Sequence, residues 1–72
     1  MNHSDMRLNC PYRIELLDGA MVVYGRYWST YLRTEDNEDF VLVVDESAGD
    51  DFSFGVLGLP ARQITKIEEV EY

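Results

Sequence analysis

Cysteine and histidine occur once each, as Cys10 and His3, and proline only twice, in a chain of 72 residues. One thiol excludes an internal disulfide and a cysteine-rich metal site, and it fits a reducing compartment. One imidazole near the chain start leaves general-base chemistry without a positioned partner. Cations are scarce as well: six Lys and Arg stand against fourteen Asp and Glu, a formal net charge of −8. Nucleic-acid phosphates are held by clustered Lys and Arg, so six dispersed cations argue against direct nucleic-acid binding. An anionic membrane surface is disfavoured by the same repulsion. No apolar run approaches the roughly 20 residues that span a bilayer. Residues 1–5 lack the basic start and apolar stretch of a signal peptide. These absences point to a cytoplasmic protein with no cofactor and no membrane partner.

What is present is apolar, aromatic and acidic, in separate places. A hydrophobic fraction of 46% is ordinary for a globular chain and argues against wholesale disorder despite the charge. The length suits one compact domain, expected over residues 10–72 behind a flexible arm at residues 1–9. So thin a core invites a homodimer. Eleven of the fourteen acids fall in three clusters. Glu35, Asp36, Glu38 and Asp39 form the first, Asp45, Glu46, Asp50 and Asp51 the second, and Glu68, Glu69 and Glu71 the third. Each lies at an expected turn or at the chain end, which sets a packed scaffold apart from a negative rim. Such a field steers in a basic protein surface.

Along the chain, Pro11 biases Cys10 toward extended geometry, and residues 12–17 alternate as a first strand. Asp18-Gly19 between apolar runs is a strong hairpin signal, because Gly takes the positive φ a tight turn needs. Residues 20–34 are rich in Val, Tyr, Trp and Thr, which fit a pleated surface, and Gly25 permits a bend or bulge. Tyr24, Tyr27, Trp28 and Tyr31 would also stripe a helix, but residues 21–34 contain no Ala, Glu or Lys and lack a cap, so strand is preferred. Residues 35–39 read as a charged turn. Residues 40–44 are an unbroken apolar run, the pattern of a central strand covered on both faces. Residues 47–50 make a second hairpin connection. Phe52, Phe54 and Val56 then alternate with Ser53 and Gly55 as a fourth strand with one buried face. Residues 59–63 suit a turn or a single turn of 3₁₀ helix around Pro60, and residues 64–70 a last strand.

Five short antiparallel strands in so few residues must curl to bury their apolar faces. The expected fold is all-β, a five-stranded, strongly bent antiparallel small barrel of the Sm-like or SH3-like kind. The runs Ile14-Glu15-Leu16-Leu17-Asp18-Gly19 and Phe40-Val41-Leu42-Val43-Val44-Asp45-Glu46-Ser47-Ala48-Gly49, closed by Leu59-Pro60 and Ile64-Thr65-Lys66-Ile67, carry a resemblance to a known family. In their order and spacing, residues 12–70 look like the small-barrel domain of the Rof (YaeO) family, acidic bacterial inhibitors of the Rho transcription terminator. The resemblance implies transcription regulation through a protein contact with Rho. The chain departs from the family where an acidic stretch and helix precede the first strand. Here Pro11 leads straight into that strand, so none of the family's contact residues carries over.

Two groups of residues are candidates for partner binding. The first is the acids Glu35, Asp36, Glu38, Asp39, Asp45, Glu46, Asp50 and Asp51, which either dock on a basic surface or simply keep wet turns soluble and strand edges unpaired. The second is Tyr24, Arg26 and Trp28, expected on one face of the second strand, with Tyr27 and Tyr31 on the other. Tyr, Trp and Arg dominate binding hot spots, yet such aromatics are equally the bulk of a tiny core. No residue pattern supports an enzyme or a metal: His3 is isolated, Cys10 has no activating base, and the acids at 45–51 do not follow the EF-hand spacing. Gly55 and Gly58 lack the Lys and helix start of a phosphate loop. The expectation is a small acidic protein-binding module. An Sm-like single-stranded RNA binder with aromatic stacking platforms and a self-assembling structural subunit are the alternatives.

Overall fold

A computed structural model describes residues 1–45 and 55–70. Its strands are β1 (Pro11–Leu16), β2 (Met21–Arg33), β3 (Glu38–Asp45), β4 (Val56–Pro60) and β5 (Ile64–Glu69). They form one antiparallel sheet in the order β4-β3-β2-β1-β5, and no α-helix occurs among the described residues. Of residues 20–34, Met21–Arg33 are therefore strand and not helix, as their β-branched and aromatic content favours. The connection after residue 45, including the expected hairpin at 47–50, lies outside the described residues, as do Phe52, Ser53 and Phe54.

The turn between β1 and β2 is built as its sequence demands. Asp18 lies at φ 56°, ψ 34° and Gly19 at φ 90°, and the Ala20 N–H donates to the Leu17 carbonyl at 3.1 Å. These angles define a type I′ turn around Asp-Gly, whose twist suits a hairpin. Leu17, expected at the end of the first strand, is instead left-handed at φ 53°, so β1 stops at Leu16.

β2 is the longest strand and serves two neighbours. Residues 21–26 pair with β1, and residues 25–33 pair with β3. Gly25 lies at the overlap, opposite Tyr12 on one side and Asp45 on the other. A Cβ there would stand 2.8 Å from the Val44 carbonyl oxygen and 3.1 Å from Val43 Cβ, so only glycine admits this approach. The β-bulge falls after Gly25, between Tyr27 and Ser29, with Trp28 as the extra residue. A second irregularity, at Glu15/Leu16 in the pairing of β1 with β5, adds curvature at the other end.

The core forms on one face. Tyr12, Ile14 and Leu16 from β1, Val41 and Val43 from β3, Leu59 from β4 and Ile67 from β5 are buried, with Met6 from the N-terminal segment. Val23, Tyr27, Leu57 and Ile64 pack around them. Residues 1–9, where the sequence leads one to expect an arm, thus supply a core side chain. The Arg7 N–H donates to the buried Tyr12 hydroxyl at 2.7 Å, and the Asn9 N–H to the Tyr27 carbonyl at 2.8 Å.

Two expectations about β3 and β4 need correction. Residues 40–44 are covered fully on one face only: Val41 and Val43 are buried, whereas Phe40, Leu42 and Val44 are half-exposed. In β4 the inward positions are Leu57 and Leu59, opposite Val43 and Val41, so Val56 stands 45% exposed where a buried face was expected. The edge strands are joined by a 3₁₀ turn at Ala61–Gln63. Four peptide steps reach at most about 14 Å. The outer strands of a flat five-stranded sheet stand roughly 19 Å apart, so this sheet has to curve.

Candidate functional site

The outward face of the sheet divides by chemistry. Over β1 and β5 it is charged: Arg13 pairs with Glu15 at 3.1 Å and Lys66 with Glu68 at 2.7 Å. Over β2, β3 and β4 it is mainly apolar and aromatic, with Arg26, Ser29, Arg33 and Glu38 among the apolar side chains. Cross-strand partners share a face. Arg26 lies opposite Val44, Ser29 opposite Leu42 and Tyr31 opposite Phe40. Val56 and Pro60 continue the row opposite Val44 and Phe40.

The bulge decides which aromatics join this face. Without it, Tyr31 would follow Tyr27 inward, as simple alternation from Tyr24 predicts. With Trp28 as an extra residue, the alternation switches, and Tyr31 comes to the outer side with Tyr24 and Arg26. Tyr24, Trp28 and Tyr31 are 50%, 61% and 53% exposed, and only Tyr27 of the four packs against the core. Tyr31 is thus a face residue that alternation alone assigns to the wrong side. Phe40, Leu42 and Val44 were also missed, because an unbroken apolar run does not tell which side stays uncovered.

Two contacts hold the ends of this face. The Arg13 Nε–H donates to the Tyr24 hydroxyl at 3.2 Å, and the Arg26 Nη1–H to the Asn9 carbonyl at 3.0 Å. The Arg33 guanidinium sits over the Phe40 ring, 4.9 Å from its centroid, an arrangement favourable to a cation. Hydrogen bonds that Arg13 donates to Tyr24 and Glu15 raise its pKa above the ordinary value, the one to Tyr24 having the larger effect.

Only Glu35 and Asp36 of the first acidic cluster lie in the turn from β2 to β3; Glu38 and Asp39, expected in that turn, begin β3 opposite Arg33 and Leu32, and the cluster is not uniformly bare. Asp36 accepts Arg33 through both carboxylate oxygens, with Nε–H···Oδ1 at 3.0 Å, and also accepts the Glu38 N–H at 3.3 Å. The hydrogen bond from Arg33 holds the Asp36 carboxyl below its usual pKa. Glu38 pairs with Arg62 at 2.8 Å and with Arg33 at 3.4 Å. Glu35 and Asp39 stay exposed, with no ion pair among the described residues. An open cleft of about 530 Å³ lies beside this turn, lined by His3, Asp36, Asn37, Glu38, Asp39, Ala61 and Arg62. Glu46, Asp50 and Asp51 of the second cluster, and the Asp45 side chain, lie outside the described residues. In the third, Glu68 is tied to Lys66, whose hydrogen bond lowers its pKa, while Glu69 is exposed.

Among the described residues no group of three or more His, Cys, Asp or Glu is arranged to hold a metal ion. No helix among them is long and apolar enough to cross a membrane. No family model matches the chain, and neither a curated protein nor a solved structure shows significant similarity to it.

Proposed function

We propose that this chain is a protein-binding module that docks its aromatic face onto a larger partner with a basic surface and modulates it. One observation carries this reading: Trp28, carried on a β-bulge, and Tyr31, brought round by it, stand in solvent beside half-exposed Phe40 and Leu42, next to Glu35 and Asp39, which have no cation among the described residues. Exposed Trp and Tyr anchor interfaces, and bare acids at the rim speed encounter with a basic patch. Closure of the curved sheet into an Sm-like or SH3-like barrel belongs to the same reading. It is supported by the short turn that joins the two edge strands.

A bacterial cytoplasm is the compartment this reading implies, and the resemblance of the β1 and β3 segments to the Rof family makes a Rho-type terminator the first partner to titrate. Single-stranded RNA binding is the weaker reading. Stacking platforms are present, but Arg13, Arg33, Arg62 and Lys66 are each engaged by carboxylates rather than lined up along a groove. The test compares capture of proteins from a native bacterial lysate by the wild type, Trp28→Ala and the double variant Glu35→Gln/Asp39→Asn. Both variants should keep the wild-type circular dichroism spectrum. Trp28→Ala should lose the captured partner, and the double variant should lose the salt dependence of association. Unchanged capture by Trp28→Ala would sink the proposal.

A further inference from the structure

Among the described residues, the second half of β2 is paired on one side only. Residues 28–33 bond to β3, but β1 begins at Pro11, whose partner is Arg26, and does not reach them. The last contacts on the β1 side are at Tyr27, whose N–H donates to the Cys10 carbonyl at 3.1 Å and whose carbonyl accepts from Asn9. Asn9 then turns away at φ 63°, and no backbone hydrogen bond from another described residue reaches 28–33 on that side. A strand edge left open is a template for one more strand. Tyr31 rises on its outer side, Trp28 and Leu32 are exposed too, and the edge runs directly into the turn that carries Glu35, with Asp39 opposite Leu32 at the start of β3.

We infer that residues 28–33 form a strand-addition site for an extended, Lys- or Arg-bearing segment of a partner protein. The open backbone supplies hydrogen bonds, and the exposed aromatics supply pockets for alternate side chains. These two acids choose the charge: a second copy of this chain, at −8, would be repelled where a basic segment is attracted. Alternating Lys and apolar residues suit this edge, because successive side chains of the added strand face opposite sides. The inference rests on the protein-binding reading and specifies the form in which the partner is recognised.

The probes are two short synthetic peptides of equal charge, one alternating Lys with Val and the other Lys with Pro, which cannot pair. The Lys-Val peptide should bind about tenfold more tightly and slow hydrogen exchange of amides within residues 28–33. Thr30→Lys, which places a like charge against the added strand and also loses the 2.8 Å hydrogen bond between the Thr30 and Tyr27 hydroxyls, should weaken that peptide about tenfold, whereas Thr30→Val, which loses the same bond without adding charge, should keep wild-type affinity. Equal binding of the two peptides would overturn strand addition and leave the acid-steered docking of the previous section standing. Failure of both peptides to bind, or protection elsewhere in the chain, would overturn it as well. Loss of lysate capture by Trp28→Ala with equal peptide affinities would separate the two proposals.

Discussion

Leu17 and Gly25 show how single positions are set by backbone geometry rather than by side-chain chemistry. Leu17 occupies the left-handed region at φ 53° while its side chain is 51% exposed, so it incurs steric cost with only partial burial in return. An L-residue there costs roughly 1–2 kcal/mol, of which glycine's extra chain entropy gives back about half. Leu17→Gly should therefore stabilise the protein by about 0.5–1 kcal/mol, seen as a rise of a few degrees in the thermal midpoint. A lower midpoint would mean that the leucine makes a contact worth more than the strain. At Gly25 the opposite holds: alanine must push the Val44 carbonyl or the Val43 side chain aside. Gly25→Ala should cost about 1–3 kcal/mol, measurable by urea denaturation.

At the scale of elements, much was legible in the sequence. Asp18-Gly19 defined a type I′ turn, the Val- and Tyr-rich stretch made β2, and residues 61–63 made a 3₁₀ turn, although Leu59 and Pro60, expected in that turn, belong to β4. These features depend on a residue's own φ preferences or on local pleating, which neighbours in sequence report. The bulge at Trp28 was not legible. It depends on the pairing of Tyr27 with Val43 and Ser29 with Leu42, residues thirteen or more positions apart. Its effect is to reverse the alternation for the rest of β2. That single extra residue puts Tyr31 on the outer side. The acidic turn had the same mixture: its position was readable, but the use of Asp36 and Glu38 as partners for Arg33 and Arg62 was not.

For the whole molecule, charge and stability are linked through those pairs. Asp36 and Glu68 have folded-state pKa values lowered by hydrogen bonds from Arg33 and Lys66. A carboxyl with a depressed folded-state value binds its proton more readily when unfolded. Its stabilising contribution is therefore present above the ordinary carboxyl pKa, about 4, and lost as pH falls through the lower folded value. Protonation near the pI of 4.3 relieves self-repulsion in an acidic chain, an effect of opposite sign. Below about pH 4 the chain has passed its pI and grows positive, so loss of the pairs and renewed self-repulsion act in the same direction. The thermal midpoint should then fall with pH, and Asp36→Asn should make that fall shallower. A fall of unchanged steepness in Asp36→Asn would show that the Arg33 pair contributes nothing to the acid limb.

The sequence by itself determined the all-β class, the turn at Asp18-Gly19, the acidic turn after β2 and the shortage of cations, because each follows from local preference or composition. Tertiary structure alone decided which apolar surface is core and which is left outside. Phe40 and Val41 are neighbours of similar hydrophobicity, yet one is half-exposed and the other fully buried. Strand register and one bulged residue make that choice, through contacts between segments that sequence order keeps apart.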